Sequence, residues 1–332
     1  MKKFLISVFC LAVTTLSALS WEEDGHRAIV RAAMPRLNAV ARKAINRIMA
    51  GSRVAQLQSM ESAAIWPDLI RQTQESAHNG TLLIIGNPEA IDFNTRFPGN
   101  YSWHFSSFPL GGKYSNTGPF SASNDLPHMI VKCIDILEGA GAPEFANFRQ
   151  DEALAWLIHL VGDAHQPLHV SEGFYINTRD GMLLISDRIL PQTDMSMIIT
   201  DQYANLLYYT ETEEFHGFWD KEMVNSISPQ TAQVVAVIET TISAMPNLAN
   251  SNDYHKWAID WVNDSILVAK DAYKPLTHGD FNRIGKYDTF LKRITTQLDT
   301  KEYKADFAPV VRQQLAKASF NLADLLNHIN WR

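Results

Sequence analysis

Apolar residues recur at helical spacing along most of the 332-residue chain, and this pattern restricts the fold more than any other feature of the sequence. In the first half, it predicts helices at 25–49 with a break at Pro35, 59–74, 125–137 and 150–164. In the second half, it predicts helices at 230–244, 253–272, 280–297 and 308–327. Around 178–209 apolar and polar residues alternate instead, which is typical of a small β-hairpin. We therefore expect an all-α or mainly α-helical fold with one β-hairpin insert.

The N-terminal segment 1–20 has the composition of a secretory signal peptide. Two lysines precede an apolar stretch, and the small residues Ala18 and Ser20 follow it. The stretch is shorter than the roughly 20 apolar residues that span a bilayer. We expect cleavage before Trp21, which leaves residues 21–332 as a single domain. The mature protein is expected to be periplasmic or secreted, monomeric and without stable membrane association.

The charge of the mature chain restricts how it could hold a phosphate-bearing substrate. Loss of Lys2 and Lys3 reduces the 29 basic residues to 27, against 36 acidic residues, which gives a formal charge of −9. This balance argues against a basic clamp for nucleic acid, so a local positive field such as bound metal ions would be needed. Cys133 is the only cysteine after residue 20, which excludes an intrachain disulfide and a sulfur-rich zinc site.

Histidine and aspartate residues have metal-ligand spacing in the segment 157–169. His159 and Asp163 are four residues apart, so on a helix they project from the same face. Pro167 is expected to end this helix and to turn His169 back toward it. The remaining candidate ligands are His26, Asp68, His104, His216 and Asp220.

A single His–Asp pair at this spacing is more typical of a helix-stabilising surface pair than of a metal site. The second pair, His216 and Asp220, and the third histidine of the 157–169 segment favour a metal site. Imidazole and carboxylate ligands without thiolate suit catalytic zinc, which keeps coordination positions open. His26 lies close to the predicted new terminus, whose freed amine is itself a competent nitrogen ligand.

The order of these residues resembles the S1/P1 nuclease family, whose members hold three zinc ions and share their fold with bacterial zinc-dependent phospholipases C. The resemblance extends over nearly the whole mature chain. It implies that the first Zn²⁺ would be held by Asp68, His104, His159 and Asp163. It implies that the second would be held by His169, His216 and Asp220. It implies that the third would be held by Trp21, through its amine and carbonyl, His26 and the shared Asp163.

The resemblance also implies an activity: endonucleolytic hydrolysis of single-stranded RNA or DNA to 5′-phosphate products, with 3′-nucleotidase activity as an additional option. Asp68 would orient or deprotonate the attacking water, and Arg71 would stabilise charge on the phosphate. Phe105 corresponds to the aromatic residue on which a base stacks, although a packed core phenylalanine is an equal alternative from the sequence. His165 is not a ligand in the family and is expected to support the orientation of one.

The sequence departs from the family pattern in two places, and these departures leave alternatives open. Ser106-Ser107 follows Phe105 where family members commonly carry an acidic residue for base recognition. The segment between His169 and His216 is longer than usual. One alternative is a zinc-dependent phospholipase C, which typically ends the ligand set in glutamate rather than an aspartate like Asp220. Another is a non-catalytic zinc-binding protein that uses the hairpin insert as a contact surface.

Overall fold

The computed structural model describes residues 21–71, 88–118, 120–178, 181–185, 198–245, 248, 250–277 and 283–332. The predicted signal peptide lies outside the described residues. The described chain is mainly α-helical with small sheets, which confirms the predicted fold class. Its helices are α1 (Glu22–Ala33), α2 (Ala39–Gly51), α3 (Met60–Ala63), α4 (66–71), α5 (Pro88–Arg96), α6 (Leu126–Leu137), α7 (Gln150–Asp163), α8 (Pro167–Val170), α9 (Phe215–Gly217), α10 (Met223–Ile227), α11 (Thr231–Ala244), α12 (Trp257–Tyr273) and α13 (Thr300–His328). Among them, no helix is both long and apolar enough to cross a bilayer.

Local sequence signals explain where several helices begin and end. Pro35 separates α1 from α2 within a 3-10 turn, as the sequence predicts. Asn38 then caps α2, since its side chain accepts a hydrogen bond from the amide of Ala41 at 2.8 Å. Asp125 caps α6 in the same way. By contrast, α13 begins eight residues before its predicted start at 308 and contains Pro309 within its length.

Helix α7 is the centre of the packing. Its residues from Glu152 to Asp163 are all buried, and it packs against α3, α6 and α13. A helix that is buried on every side needs apolar or paired side chains all round, and α7 has them. Buried apolar side chains form one contiguous cluster that reaches from Trp21 to Ile329. Polar residues on α7 are therefore held in a rigid, dry environment.

The described residues also form two small sheets. Their strands are β1 (Phe174–Thr178), β2 (Gly181–Leu184), β3 (Ile199–Thr200), β4 (Leu207–Tyr208), β5 (Arg283–Ile284), β6 (Lys286–Asp288) and β7 (Arg293–Thr295). The first sheet is antiparallel with the order β3-β1-β2-β5, and the second has the order β4-β7-β6. β-Structure is present in the predicted insert, but its pairing differs from a hairpin of the segments near 182–185 and 197–199: β2 pairs with β1, with Tyr175 opposite Leu184, and β3 pairs with the other edge of β1. The β-structure begins at Phe174, four residues before the predicted bound, and residues 179–180 and 186–197 lie outside the described residues.

The predicted helix at 280–297 is wrong, because its described part forms β5, β6 and β7. Apolar residues at helical spacing suggested a helix, yet Ile284 and Ile294 are buried in two strands while Phe290 lies in the exposed turn between them. Gly285 has a left-handed φ of 44°, and a Cβ there would overlap the carbonyl of Thr295. Pairing with the distant strands β2 and β4 outweighs the local helical pattern.

Candidate metal centre

The eight predicted side-chain ligands converge on one buried region, although they come from elements spread over two hundred positions. They are His26 on α1, Asp68 on α4, His104 at the end of the 3-10 helix Asn100–His104, His159 and Asp163 on α7, His169 on α8, His216 on α9, and Asp220 in the π-helical turn Phe218–Glu222. Each is at most 3% exposed. Their nitrogen and oxygen atoms form three groups able to surround an ion: His26, Asp68 and His159; His104, His159 and Asp163; His169, His216 and Asp220.

The carboxylate of Asp163 lies between the imidazole rings of His26, His104 and His159. Its Oδ2 is 3.1 Å from Nδ1 of His104 and 3.3 Å from Nε2 of His159. Its Oδ1 is 3.4 Å from Nε2 of His26. Because the two oxygens face different histidines, Asp163 has the geometry of a carboxylate shared between two ions.

Asp68, on α4, lies close to two of the same histidines. Its Oδ1 lies 3.7 Å from Nε2 of His159 and 3.8 Å from Nδ1 of His104. This oxygen is buried and has no hydrogen-bond partner among the described residues. Buried carboxylate oxygens are normally paired, so an oxygen in this position fits a metal ligand.

Backbone carbonyls orient three of the histidines. Nδ1 of His159 donates to the carbonyl of Ala64 at 2.7 Å, and Nδ1 of His169 donates to that of His104 at 2.9 Å. Nδ1 of His216 donates to the carbonyl of Tyr203 at 2.6 Å. A carbonyl can only accept, so Nδ1 carries the proton and Nε2 keeps its lone pair for a metal.

The Nε2 atoms of His169 and His216 are buried without hydrogen-bond partners among the described residues, and so is Oδ2 of Asp220. Nε2 of His216 lies 3.2 Å from Oδ2 of Asp220. The π-helical turn carries Asp220 to this position, and π turns of this kind are frequent at functional sites. Gln166, which was not among the predicted site residues, donates from Nε2 to Oδ1 of Asp220 at 2.6 Å and leaves Oδ2 facing the histidines.

Trp21 brings the predicted mature N terminus to the same site. Its backbone nitrogen donates to Oδ1 of Asp220 at 3.0 Å. Its fully buried indole donates from Nε1 to the carbonyl of Gly162 on α7 at 3.0 Å. The chain at Trp21 is therefore fixed by two hydrogen bonds next to a ligand.

Gly162 makes room for His26, and this role was also missed from the sequence. The His26 ring stacks on the His159 ring, with centroids 4.1 Å apart and planes 15° apart. A Cβ at Gly162 would lie 2.7 Å from two atoms of the His26 ring. Its place inside the 157–169 motif is the signal that could have identified it, because a helix-interior glycine is unfavourable unless something approaches closely.

Burial and mutual attraction set the protonation of the ligands. Burial lowers the pKa of His26 to about 4, of His104 to about 3 and of His169 to about 4, so these imidazoles are neutral at pH 7. Burial also opposes the charge on His159, but Asp163 and Asp68 outweigh it and raise its pKa to about 9.

The two carboxylates that face His159 respond in opposite directions. Burial raises the pKa of Asp68 to about 7, although His159 and Arg71 oppose the shift. Burial acts in the same direction on Asp163, but His159 and His169 outweigh it and hold its pKa well below the ordinary value. Cations bind ionised carboxylates and neutral imidazoles, so an ion bound here would displace the proton that His159 keeps at pH 7.

Phe105 and Arg71 lie beside the ligands. The Phe105 ring stacks against His169 with centroids 4.6 Å apart and against Tyr203 with centroids 4.3 Å apart. Only 7% of Phe105 is exposed, so its ring is a packed part of the lining of the site. The guanidinium carbon of Arg71 lies 5.4 Å from the centroid of the Phe105 ring, which places the positive charge of Arg71 beside this ring.

His165 lies on the other side of the motif. Its Nδ1 donates to the carbonyl of Val161 at 2.7 Å, and its Nε2 accepts from the side-chain amide of Asn321 on α13 at 2.8 Å. These hydrogen bonds link the end of α7 to α13 rather than reaching a ligand side chain. His165 thus supports the helix that carries Asp163.

A buried set of imidazoles and carboxylates on a helical scaffold is the kind of metal centre that hydrolytic enzymes use. The family model for the S1/P1 nucleases matches residues 21–330, and the chain therefore belongs to the S1/P1 nuclease family. It is similar to Endonuclease 2 of Arabidopsis thaliana, 23% identical over 312 residues that cover 93% of this chain and 90% of the relative. It is also similar to Endonuclease 3 of the same plant, 22% identical over 342 residues that cover 99% of this chain and 95% of the relative. The protein is accordingly a hydrolytic nuclease with residues able to bind metal.

Proposed function

We propose that the protein is a zinc-dependent endonuclease that hydrolyses phosphodiester bonds of single-stranded RNA or DNA to 5′-phosphate products. The observation that carries this proposal is the convergence of eight predicted ligand side chains on one buried site. Family membership supports the nuclease chemistry. A 3′-nucleotidase activity is compatible with the same site, since both reactions break the bond between phosphorus and the 3′ oxygen of a nucleotide.

The chemistry of the ligand set supports zinc. All the side-chain donors are imidazole nitrogens or carboxylate oxygens, which suit catalytic zinc sites. Five atoms of the predicted ligands are buried and lack hydrogen-bond partners among the described residues, namely Oδ1 of Asp68, Nε2 of His104, Nε2 of His169, Nε2 of His216 and Oδ2 of Asp220. Leaving such atoms unpaired would cost about 1–3 kcal/mol each, and a bound cation would offset that cost.

We assign the ions to the groups that the family resemblance implies. The first ion would be held by Asp68, His104, His159 and Asp163. The second ion would be held by His169, His216 and Asp220. The third ion would be held by the amine and carbonyl of Trp21, His26 and Asp163. Three Zn²⁺ ions and three carboxylates would leave about three positive charges, which explains how an acidic protein could hold a phosphodiester.

The bound zinc ions would supply a water of lowered pKa and positive charge for the phosphate. The chain itself would contribute the remaining functions. Asp68 would orient the attacking water or accept its proton. Arg71 would bind the phosphate oxygens through its planar donor fork.

The same proposal includes export and processing. Cleavage before Trp21 would convert its amide nitrogen into a free amine, next to Asp220. The mature enzyme would then be a secreted or periplasmic monomer of one domain, and removal of the signal peptide would be a condition for activity.

Zinc content and substrate choice test the proposal directly. We expect the purified chain that starts at Trp21 to contain close to three zinc ions, and a content of one or none would refute the three-ion site. The zinc-loaded protein is incubated in parallel with single-stranded RNA, single-stranded DNA and phosphatidylcholine vesicles. Release of 5′-phosphate oligonucleotides supports the nuclease, whereas turnover of lipid alone would indicate the phospholipase C alternative.

A second experiment tests the role of the N terminus. A chain that keeps one additional residue before Trp21 has an amide in place of the amine. We expect it to bind about one zinc ion fewer and to lose most of its activity. A matched control carries an additional residue after Arg332 at the C terminus. Equal zinc content in the two extended chains would contradict the amine ligand.

A further inference from the structure

Three aromatic rings form a continuous stack beside the second ligand group. The Phe105 ring lies nearly parallel to the His169 ring, at 23°, and nearly parallel to the Tyr203 ring, at 18°. His169 is a predicted zinc ligand, so this end of the stack is fixed to the metal centre. Tyr203 comes from the segment between β3 and β4, within the long insertion that separates His169 from His216.

This arrangement affects which ring can receive a nucleobase. Phe105 is 7% exposed and is stacked on two rings, so a base could reach its face only after one of them had moved. Movement of His169 would remove a metal ligand. Movement of Tyr203 would have to break the contacts that hold it.

Tyr203 is anchored at several points. Its carbonyl accepts a hydrogen bond from Nδ1 of His216 at 2.6 Å, and its amide donates to Oε2 of Glu172 at 3.4 Å. Glu172 is held in turn by Ser107, whose hydroxyl donates to Oε1. These bonds fix the backbone of Tyr203, and its ring is held by stacking on Phe105.

The backbone around Tyr203 is held in an unfavourable conformation. Gln202, Tyr203 and Ala204 have left-handed φ values of 51°, 62° and 66°. Such a conformation is disfavoured for residues with a Cβ. Buried Asp201 maintains it, since its Oδ1 accepts from the amides of Gly173 at 3.1 Å and Ala204 at 3.0 Å. Strain that surrounding hydrogen bonds maintain next to an active site commonly serves positioning.

We propose that Tyr203, and not Phe105, provides the ring on which a base of the single-stranded substrate stacks, as the next member of the His169–Phe105–Tyr203 stack. Tyr203 is partly exposed, whereas Phe105 is buried. The inference rests on the proposed function, because it concerns how that substrate is held. It also makes Tyr203 a specificity residue that uses its backbone to orient a ligand and its ring to bind a base.

The test uses the zinc-loaded mature protein and a trinucleotide with 2-aminopurine and phosphorothioate linkages. Stacking on an aromatic ring quenches 2-aminopurine fluorescence. We expect Tyr203→Asn to lose the quenching and to weaken binding roughly 5- to 150-fold, the range for one base stacked on an aromatic ring. Asparagine tolerates a left-handed φ, so this variant removes the ring without new backbone strain. Tyr203→Phe should keep both quenching and affinity.

Controls separate the ring from the metal site. Tyr287→Leu, on β6, should bind like the wild type. A trinucleotide with an abasic site in place of 2-aminopurine should bind the wild type and Tyr203→Asn with equal affinity. The two proteins should also contain the same amount of zinc. If Phe105→Leu abolished quenching while Tyr203→Asn kept it, the base would stack on Phe105 and the inference would be wrong. If neither variant changed quenching, no base would stack here, which also overturns it. Failure of the proposed function is a separate observation, the absence of any hydrolysis of single-stranded RNA or DNA by the wild type.

Discussion

Replacement of Gly162 by alanine should have the opposite effect from most glycine-to-alanine changes inside a helix. Gly162 lies in α7, where alanine ordinarily stabilises a helix by about 1 kcal/mol relative to glycine. Here the new Cβ would lie 2.7 Å from Cε1 and Nδ1 of the His26 ring, and ordinary contact begins at 3.4 Å. The ring and the helix must therefore move apart by about 0.7 Å to restore ordinary contact.

A movement of this size is large for a metal ligand. Zinc–nitrogen distances are about 2.0–2.1 Å with a tolerance of roughly 0.2 Å. His26 also stacks on His159, so its displacement disturbs a second ligand. We expect Gly162→Ala to lower the affinity of the proposed third zinc site on the order of 100-fold, comparable to the larger losses seen when the support of a ligand is removed. We expect overpacking to cost about 1–3 kcal/mol of stability.

The assay measures zinc per chain after dialysis against a competing chelator, together with the melting temperature and the rate of RNA hydrolysis. Gly51→Ala is the matched control, since Gly51 ends α2 and its added Cβ would meet nothing within 4 Å. The control should keep its zinc and its activity. A Gly162→Ala protein with three zinc ions, normal turnover and an unchanged melting temperature would refute the reasoning.

Three further predictions use other parts of the site. Asp163→Asn should lower the zinc content by about two ions and abolish hydrolysis, because both of its carboxylate oxygens face histidines. Asp264→Asn, at an exposed position, is the control. Normal turnover in Asp163→Asn would contradict the role of Asp163 as a shared ligand. Burial, with Asp201 nearby, raises the pKa of Glu172 from 4.5 to about 7, so the folded protein keeps a proton that the unfolded chain releases. Thermal melts should show that the wild type loses up to roughly 3 kcal/mol of stability relative to Glu172→Gln as pH rises from 4.5 to 7, and an unchanged difference between the two proteins would exclude the shift. Asn321→Leu should lower the free energy of unfolding in urea by about 1–3 kcal/mol, because Nε2 of His165 loses its hydrogen-bond donor. The zinc content should stay unchanged. Loss of zinc would instead indicate that His165 orients a ligand.

The sequence alone indicated the candidate ligand residues and several of the helices that carry them. Spacing four residues apart on α7 is a local property, so the positions of His159 and Asp163 in the sequence suffice to place them on one helix face. The break between α7 and α8, which places Pro167 at the first position of the new helix and His169 within it, is equally local. The start and end of α6, with its Asp125 cap, also follow from neighbouring residues.

Tertiary structure decided the features that depend on distant partners. The segment 280–297 has a helical pattern but forms strands, because β2 and β4 offer it backbone partners. The clearance that Gly162 gives His26 depends on the packing of α1 against α7. The stacking of Tyr203 on Phe105 joins residues almost one hundred positions apart. Periodicity and spacing report only what a chain does with its near neighbours, whereas pairing, close approach and stacking depend on which remote segment arrives at the same place.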